Sequence, residues 1–335
     1  MPLQGINALT YDPNSNQIAT DDLVRDIIDL GSTLPAGKNP LMMRSKVEAS
    51  SSANGNVLNI VNFKNAFQLY ANHGIATHAI LPREFDNSGY DPNGPLWPGN
   101  LNNDYINDFS NRATDFASQL TANGLRSYFI WNEPNNNGQG SYLDEQHFAA
   151  LLYQCYNRMK SVPGIGMIYA GSFTWPLGTF SDPSYCTQLV RNYLANVKAH
   201  LDANSGGTPF DAITVNVNHY NLNGLHYSLA DMQNLRDALV GSSGVYPGKT
   251  LFIGEWSVTD AEAGVAGATL CAYSNLKPIC FAMWFFQHTT FTDQNGDVWG
   301  ATKWYPGQGN PVPVFPNGHM QVWDQLHYLY QWPDP

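Results

Sequence analysis

The chain is predicted to fold as an α/β protein, a (β/α)8 TIM barrel in one domain, and three observations predict it. Apolar runs of strand length alternate with amphipathic stretches of helix length along the whole sequence, and that alternation implies parallel strands joined by helical crossovers. Eight such units can be counted at even spacing, which favours one closed barrel over a two-domain layout. The length, 335 residues with 43% hydrophobic content, suits a single core of that size, so residues 1–335 are read as one domain.

The strands are expected at residues 5–11, 41–47, 75–81, 127–132, 166–171, 212–220, 250–256 and 279–286. The helices between and after them are expected at 21–34, 60–73, 103–123, 144–162, 185–204, 228–240, 261–275 and 319–330. Asp21, Asp144 and Ser228 stand where a side chain can cap the first turn, and Gly74 and Gly124 follow helices where a left-handed residue closes the last one. Two connections after strands are long, 82–102 and 287–318, and both are rich in Gly, Pro, Asn and aromatic residues. Helix-to-strand links such as 123–124 are short, as the stability face of a barrel requires. Functional groups are therefore sought at the C-terminal ends of the strands.

Charge narrows the partners. Only 13% of residues are charged, the net charge is -11 and the pI is about 5.1, so phosphate backbones and anionic membranes are repelled. No run approaches the roughly 20 apolar residues of a membrane span, and Met1-Pro2-Leu3-Gln4 begins no signal peptide. Few lysines and many Asn, Gly, Tyr and Trp suit a secreted protein, so an extracellular location is expected, with the signal peptide outside this sequence. There is no Asn-x-Ser/Thr sequon. Cys155, Cys186, Cys271 and Cys280 lack the short paired spacing of a zinc site. Pairing Cys155 with Cys186 and Cys271 with Cys280 would join neighbouring elements, and four buried thiols are an equal alternative. The histidines form no His-Glu-x-x-His, and no metal or cofactor is expected. A calcium site at Asp293, Asn295 and Asp297 is weighed against a plain turn, and the turn is preferred without the glutamate that closes an EF-hand loop.

Two strands run into carboxylates. Tyr128-Phe129-Ile130 leads into Trp131-Asn132-Glu133-Pro134, and Leu251-Phe252-Ile253-Gly254 leads into Glu255-Trp256. Two carboxyl groups at the ends of separate parallel strands, brought across one cleft, are what retaining glycoside hydrolysis requires: one proton donor and one nucleophile. Asn-Glu-Pro after one strand and Gly-Glu-Trp closing a later one resemble the clan A glycoside hydrolases, with the family five cellulases and mannanases and the family thirty-nine enzymes nearest in pattern. The resemblance extends over nearly the whole chain through the order of the units.

The resemblance implies roles residue by residue. Glu133 would be the acid/base and Glu255 the nucleophile, the first protonated and the second ionised before the covalent step. Asn132 would bond the sugar 2-hydroxyl, and Arg44 would support the nucleophile. In the sixth strand Asn216, Asn218 and Tyr220 share one face and Val215, Val217 and His219 the other. Tyr220 resembles the clan tyrosine that bonds the nucleophile. The family-five pattern is His-x-Tyr, whereas here Asn218 stands two before Tyr220 and His219 is adjacent, which leaves the role of His219 open. Trp284 matches the clan's tryptophan platform beneath the sugar. Trp256 and Trp175, with Trp97, Trp299 and Trp304, also follow strands and are candidates to line subsites. His78 and Glu84 are weaker candidates, since single residues of these types more often have structural roles.

The function so implied is hydrolysis of β-glycosidic bonds in a neutral β-glucan or β-mannan, with endo action favoured by tryptophans spread over several loops. The partner would be a polysaccharide or oligosaccharide, and the protein a monomer. A non-catalytic carbohydrate-binding barrel, and an exo-acting glycosidase or transglycosylase on short oligosaccharides, are the alternatives.

Overall fold

The computed structural model describes residues 3–7, 11–12, 17–18, 42–47, 60–85, 104–137, 141–176, 182–218, 229–257, 283–287, 291–292 and 298–299. Eight parallel strands carry the fold: β1 (Leu3–Asn7), β2 (Met42–Lys46), β3 (Ala76–Leu81), β4 (Leu125–Ile130), β5 (Ile168–Thr174), β6 (Ala212–Asn218), β7 (Thr250–Ser257) and β8 (Met283–Gln287). Each pairs with the next, and β1 pairs with both β2 and β8, so the ladder returns to its start. All eight expected strands overlap observed ones. Five described helices run between them: α1 (Ile60–Asn72), α2 (Asp104–Leu120), α3 (Glu145–Met159), α4 (Pro183–Asn204) and α5 (Leu229–Val240). The expected helices at 21–34, 261–275 and 319–330 lie outside the described residues.

Local chemistry sets the helix ends. The Asp144 carboxylate accepts from the Gln146 and His147 backbone N–H groups and so satisfies two orphan donors of α3. Asp182 caps α4 in the same way with Pro183 in the first turn, two residues earlier than the expected start at 185. Gly74 and Gly124 both have positive φ and end their helices as expected.

The strands alternate between two apolar layers. Val215, Val217, Ile130 and Ile253 belong to the large cluster shared with helix residues such as Phe148, Val190 and Leu235. Their in-facing neighbours form a smaller cluster of Ile80, Phe129, Tyr169, Ala212 and Phe252. There Phe129 and Tyr169 stack at 4.3 Å, and Phe252 meets Tyr169 edge-on at 5.4 Å. This aromatic layer fills the middle of the sheet, and the Arg44 guanidinium lies on it, 4.7 Å from the Phe129 ring centre.

Two bulges change what faces inward above that layer. Between Ala170 and Phe173 of β5 and Ile213 and Val215 of β6 the register shifts by one residue. Gly171 there has φ +62°, and a Cβ on it would lie 3.2 Å from the Phe148 ring and 3.3 Å from the Ile130 carbonyl. Strict alternation from in-facing Tyr169 would turn Ser172 outward; the extra residue turns it in. In β7, Val215 pairs with Ile253 but Asn216 with Glu255, and β8 registers the same extra residue between Ile253 and Trp256. Gly254 is the inserted residue.

Candidate active site

Glu133 follows β4 on strained backbone. Trp131 has φ 70° and Glu133 φ 50°, left-handed values for residues with full side chains, at a cost of about 1–3 kcal/mol each. Surrounding contacts hold the turn in place. The Trp131 indole is buried and its Nε1–H donates to the Ser141 carbonyl at 2.6 Å, while its backbone N–H donates to the Leu81 carbonyl. The Glu133 backbone N–H donates to the Ser172 carbonyl at 2.8 Å, and Asn136 N–H closes the turn on the Glu133 carbonyl. Two residues after Glu133, the Asn135 side chain takes the place of a further strand residue. Its Nδ2 donates to the Thr174 carbonyl at 2.8 Å and its Oδ1 accepts from Thr174 N–H at 2.9 Å.

The Glu133 carboxyl group receives two amide donors, one on each oxygen. Asn216 Nδ2 donates to Oε1 at 3.0 Å and Asn136 Nδ2 to Oε2 at 3.0 Å. Behind Asn216 stands a buried chain of polar groups. Ser172 Oγ donates to Asn216 Oδ1 at 2.6 Å and accepts from Arg44 at 2.7 Å, and the other Arg44 nitrogen donates to the Gly254 carbonyl at 3.0 Å. Thr214 Oγ1 donates to the Gly171 carbonyl on the same level. Arg44, Ser172 and Asn216 are fully buried. The guanidinium thus reaches the bulge residue directly before Glu255. No side-chain contact of Glu255 is described; by backbone register it is the β7 neighbour of Asn216 on β6.

The other expected residues are placed as follows. Asn132 is half-buried, and its Oδ1 is buried without a hydrogen-bond partner. Such an acceptor can receive a ligand hydroxyl. His78 is buried beside Arg44, and burial, then the Arg44 charge, push its pKa down to about 3. It is neutral at any ordinary working pH.

Trp175 must be corrected. It is 2% exposed, its Nε1–H donates to Thr187 Oγ1 at 3.3 Å, and it packs in the large core cluster. An indole enclosed in this way offers no face to a sugar. Trp256 and Trp284 sit at register positions on β7 and β8, across from Phe286 and Gln4. The side chains of Asn218, Trp256, Trp284 and Glu84, and residues His219, Tyr220, Trp97, Trp304, Asp293, Asn295 and Asp297, lie outside what is described. Cys155 and Cys186 are both buried and not bridged to each other, so the pairing weighed between them is not formed. Burial raises the Cys186 pKa to about 11.

Ser172 and Asn136 were not singled out in the sequence. Asn136 stands within hydrogen-bonding sequence distance of Glu133, a signal that Asn-Asn after Glu-Pro does carry. Ser172 had no such signal, because its inward aim depends on the bulge.

No known sequence family and no curated protein matches the chain. Solved structures do. A monomeric β-xylosidase from Caulobacter crescentus CB15 is 15% identical over 99% of this chain and 68% of its own, with TM-score 0.61. The GH39 enzyme from Xanthomonas axonopodis pv. citri is 14% identical over 98% and 66%, with TM-score 0.60. A fungal β-1,4-galactanase is 14% identical over 85% and 89%, with TM-score 0.56. At these identities the likeness is one of fold: a parallel α/β sheet of the TIM-barrel type used by glycoside hydrolases, family 39 among them. The resemblance read from Asn-Glu-Pro and Gly-Glu-Trp is met at that level.

Proposed function

We propose that the protein is a retaining glycoside hydrolase, a complete (β/α)8 barrel in one domain, cleaving β-glycosidic bonds of a neutral polysaccharide, with endo action favoured. The observation that carries this reading is Glu133 itself. Its carboxyl group is fixed by a donor on each oxygen, on backbone held in an unfavourable conformation, at a strand end of a fold shared with glycoside hydrolases. The fold neighbours named for β-xyloside and β-1,4-galactan substrates support a neutral β-linked sugar. Secretion and a monomeric state complete the proposal.

In this mechanism the Glu255 carboxylate attacks the anomeric carbon as the glycosidic bond breaks, and the Glu133 proton passes to the departing oxygen. Water then gives its proton to Glu133 and its oxygen to the anomeric carbon, the ester to Glu255 breaks, and the sugar leaves with its configuration kept. Asn132, with its unfilled buried acceptor, would receive the 2-hydroxyl. The amides on Glu133 orient it through both steps, as it changes from acid to base.

The test is release of reducing ends from β-1,4-glucan, β-1,3-glucan, mannan, xylan and β-1,4-galactan, with aryl β-xyloside and β-glucoside beside them and product sizing throughout. Hydrolysis of at least one substrate is expected, reduced about a hundredfold or more in Glu133→Gln. Turnover of the short substrates alone would replace endo with exo action. Sugar binding without turnover anywhere would sink the enzymatic reading in favour of a binding barrel.

A further inference from the structure

The polar chain behind Glu133 begins at a group that can only donate. Arginine can only donate, so Ser172 Oγ accepts from Arg44 and keeps its own hydrogen to give to Asn216 Oδ1 at 2.6 Å, with the longer Thr214 Oγ1 contact at 3.4 Å beside it. With Oδ1 so occupied, the Asn216 amide can present only its N–H to Glu133.

The geometry points to Ser172 and Asn216 as positioning residues that hold a hydrogen-bond donor on Glu133 Oε1 and so set the pH at which this carboxyl group exchanges its proton. The inference rests on the reading of Glu133 as the acid/base. One guanidinium then serves both strand ends. Through Ser172 and Asn216 it reaches Glu133, and directly it holds the bulge carbonyl of Gly254, which sets the register of Glu255. A donor on Oε1 stabilises the ionised form of Glu133, and half-buried Asn136 holds Oε2 at the same distance. The space for this link exists because residue 254 has no side chain. A Cβ there would lie 2.4 Å from Ser172 Oγ and 2.8 Å from Asn216 Oδ1.

Among the described residues, the charged and titratable groups tied to this chain are Arg44, at its far end, and His78 beside Arg44 on β3, with Glu255 the register neighbour of Asn216. The test leaves all three intact. The Glu133 carboxyl titration is followed by carbon-13 NMR of protein labelled at glutamate side chains, its resonance identified by its loss in Glu133→Gln. Asn216→Leu removes the donor and is expected to raise the midpoint by about one pH unit, the worth of a hydrogen bond to a charged group. Ser172→Ala frees the amide to turn and is expected to raise it by about half as much. In the glycan assay the alkaline limb of kcat/KM should move up by the same amounts. Folding is checked by near-ultraviolet circular dichroism, and Ser172→Ala decides alone if Asn216→Leu does not fold. An unmoved midpoint in folded variants overturns the relay even where hydrolysis is present. A moved midpoint without hydrolysis of any glycan upholds the relay and overturns the enzymatic reading instead.

Discussion

The two ends of the sheet are built by different rules. At the N-terminal ends of the strands, connections use ordinary turn chemistry: α2 tightens through a short helical turn at Thr121–Asn123 and stops at Gly124, and Lys160 and Asp211 pair at 2.8 Å near solvent. Both ends carry a register shift, one at Leu125–Ser127 near the start of β4 and two above, but at the C-terminal ends left-handed Trp131 and Glu133 and a buried arginine chain replace those rules. Groups that are unfavourable one by one persist there because each is held by several others. The difference teaches where stability has been exchanged for a fixed arrangement of polar groups.

Substitutions can break or sharpen that contrast. Gly254→Ala should have the largest effect, since its Cβ would overlap both Ser172 and Asn216. A loss of about 3 kcal/mol in denaturant unfolding is expected, from overpacking and a broken buried hydrogen bond together. Activity on the responsive glycan should fall by about tenfold or more even in the folded fraction, because the same collision displaces the donor on Glu133. A variant as stable and active as the parent would show that this end tolerates change as the other does.

Next comes acid. His78 titrates at the ordinary 6.5 when unfolded and at about 3 when folded, so the unfolded state binds a proton first as pH falls. This group's stability is present above pH 6.5 and is lost progressively down to about 3. The slope is about 1.4 kcal/mol per pH unit, which makes a loss of about 2 kcal/mol by pH 5. The unfolding free energy measured between pH 7 and 5 should therefore fall more steeply in the parent than in His78→Leu. Equal slopes would deny that burial of this imidazole governs the acid response.

The smallest effect belongs to the other end. Gly124→Ala strains one left-handed residue, with φ 88°, and crowds Ala71 at 2.8 Å. It should cost about 1–2 kcal/mol of stability. Turnover per folded molecule should stay unchanged, and any drop in it would erase the separation between the two ends.

The same contrast explains what could be read from the sequence. Strands were legible because apolar runs such as Tyr128-Phe129-Ile130 and Val215/Val217 state both their length and their outward face. Helix ends were legible where one residue decides them, as at Asp144 and Gly124. Glu133 and Arg44 stood out because a charged group directly after an apolar strand needs an explanation. Ser172 did not, since period-two reasoning from Tyr169 turns it the wrong way and only the bulge at Gly171 turns it back. Asn216 was assigned to the right face but without its partners, which lie 44 and 83 residues away in sequence. Trp175 was misjudged for a related reason: a tryptophan after a strand serves a cleft or a core, and the helix donating Thr187 decides which.

The carboxamide of Asn135 has a wider consequence. By standing in for a strand residue against Thr174, it hems the segment bearing Glu133 to β5, and the bonds to Ser141 and from Tyr193 to Leu143 fasten the far side of the same loop. The backbone turn that carries Glu133 is therefore clamped from both sides by bonds in which its carboxyl group takes no part, and the turn keeps its shape whatever charge that group bears.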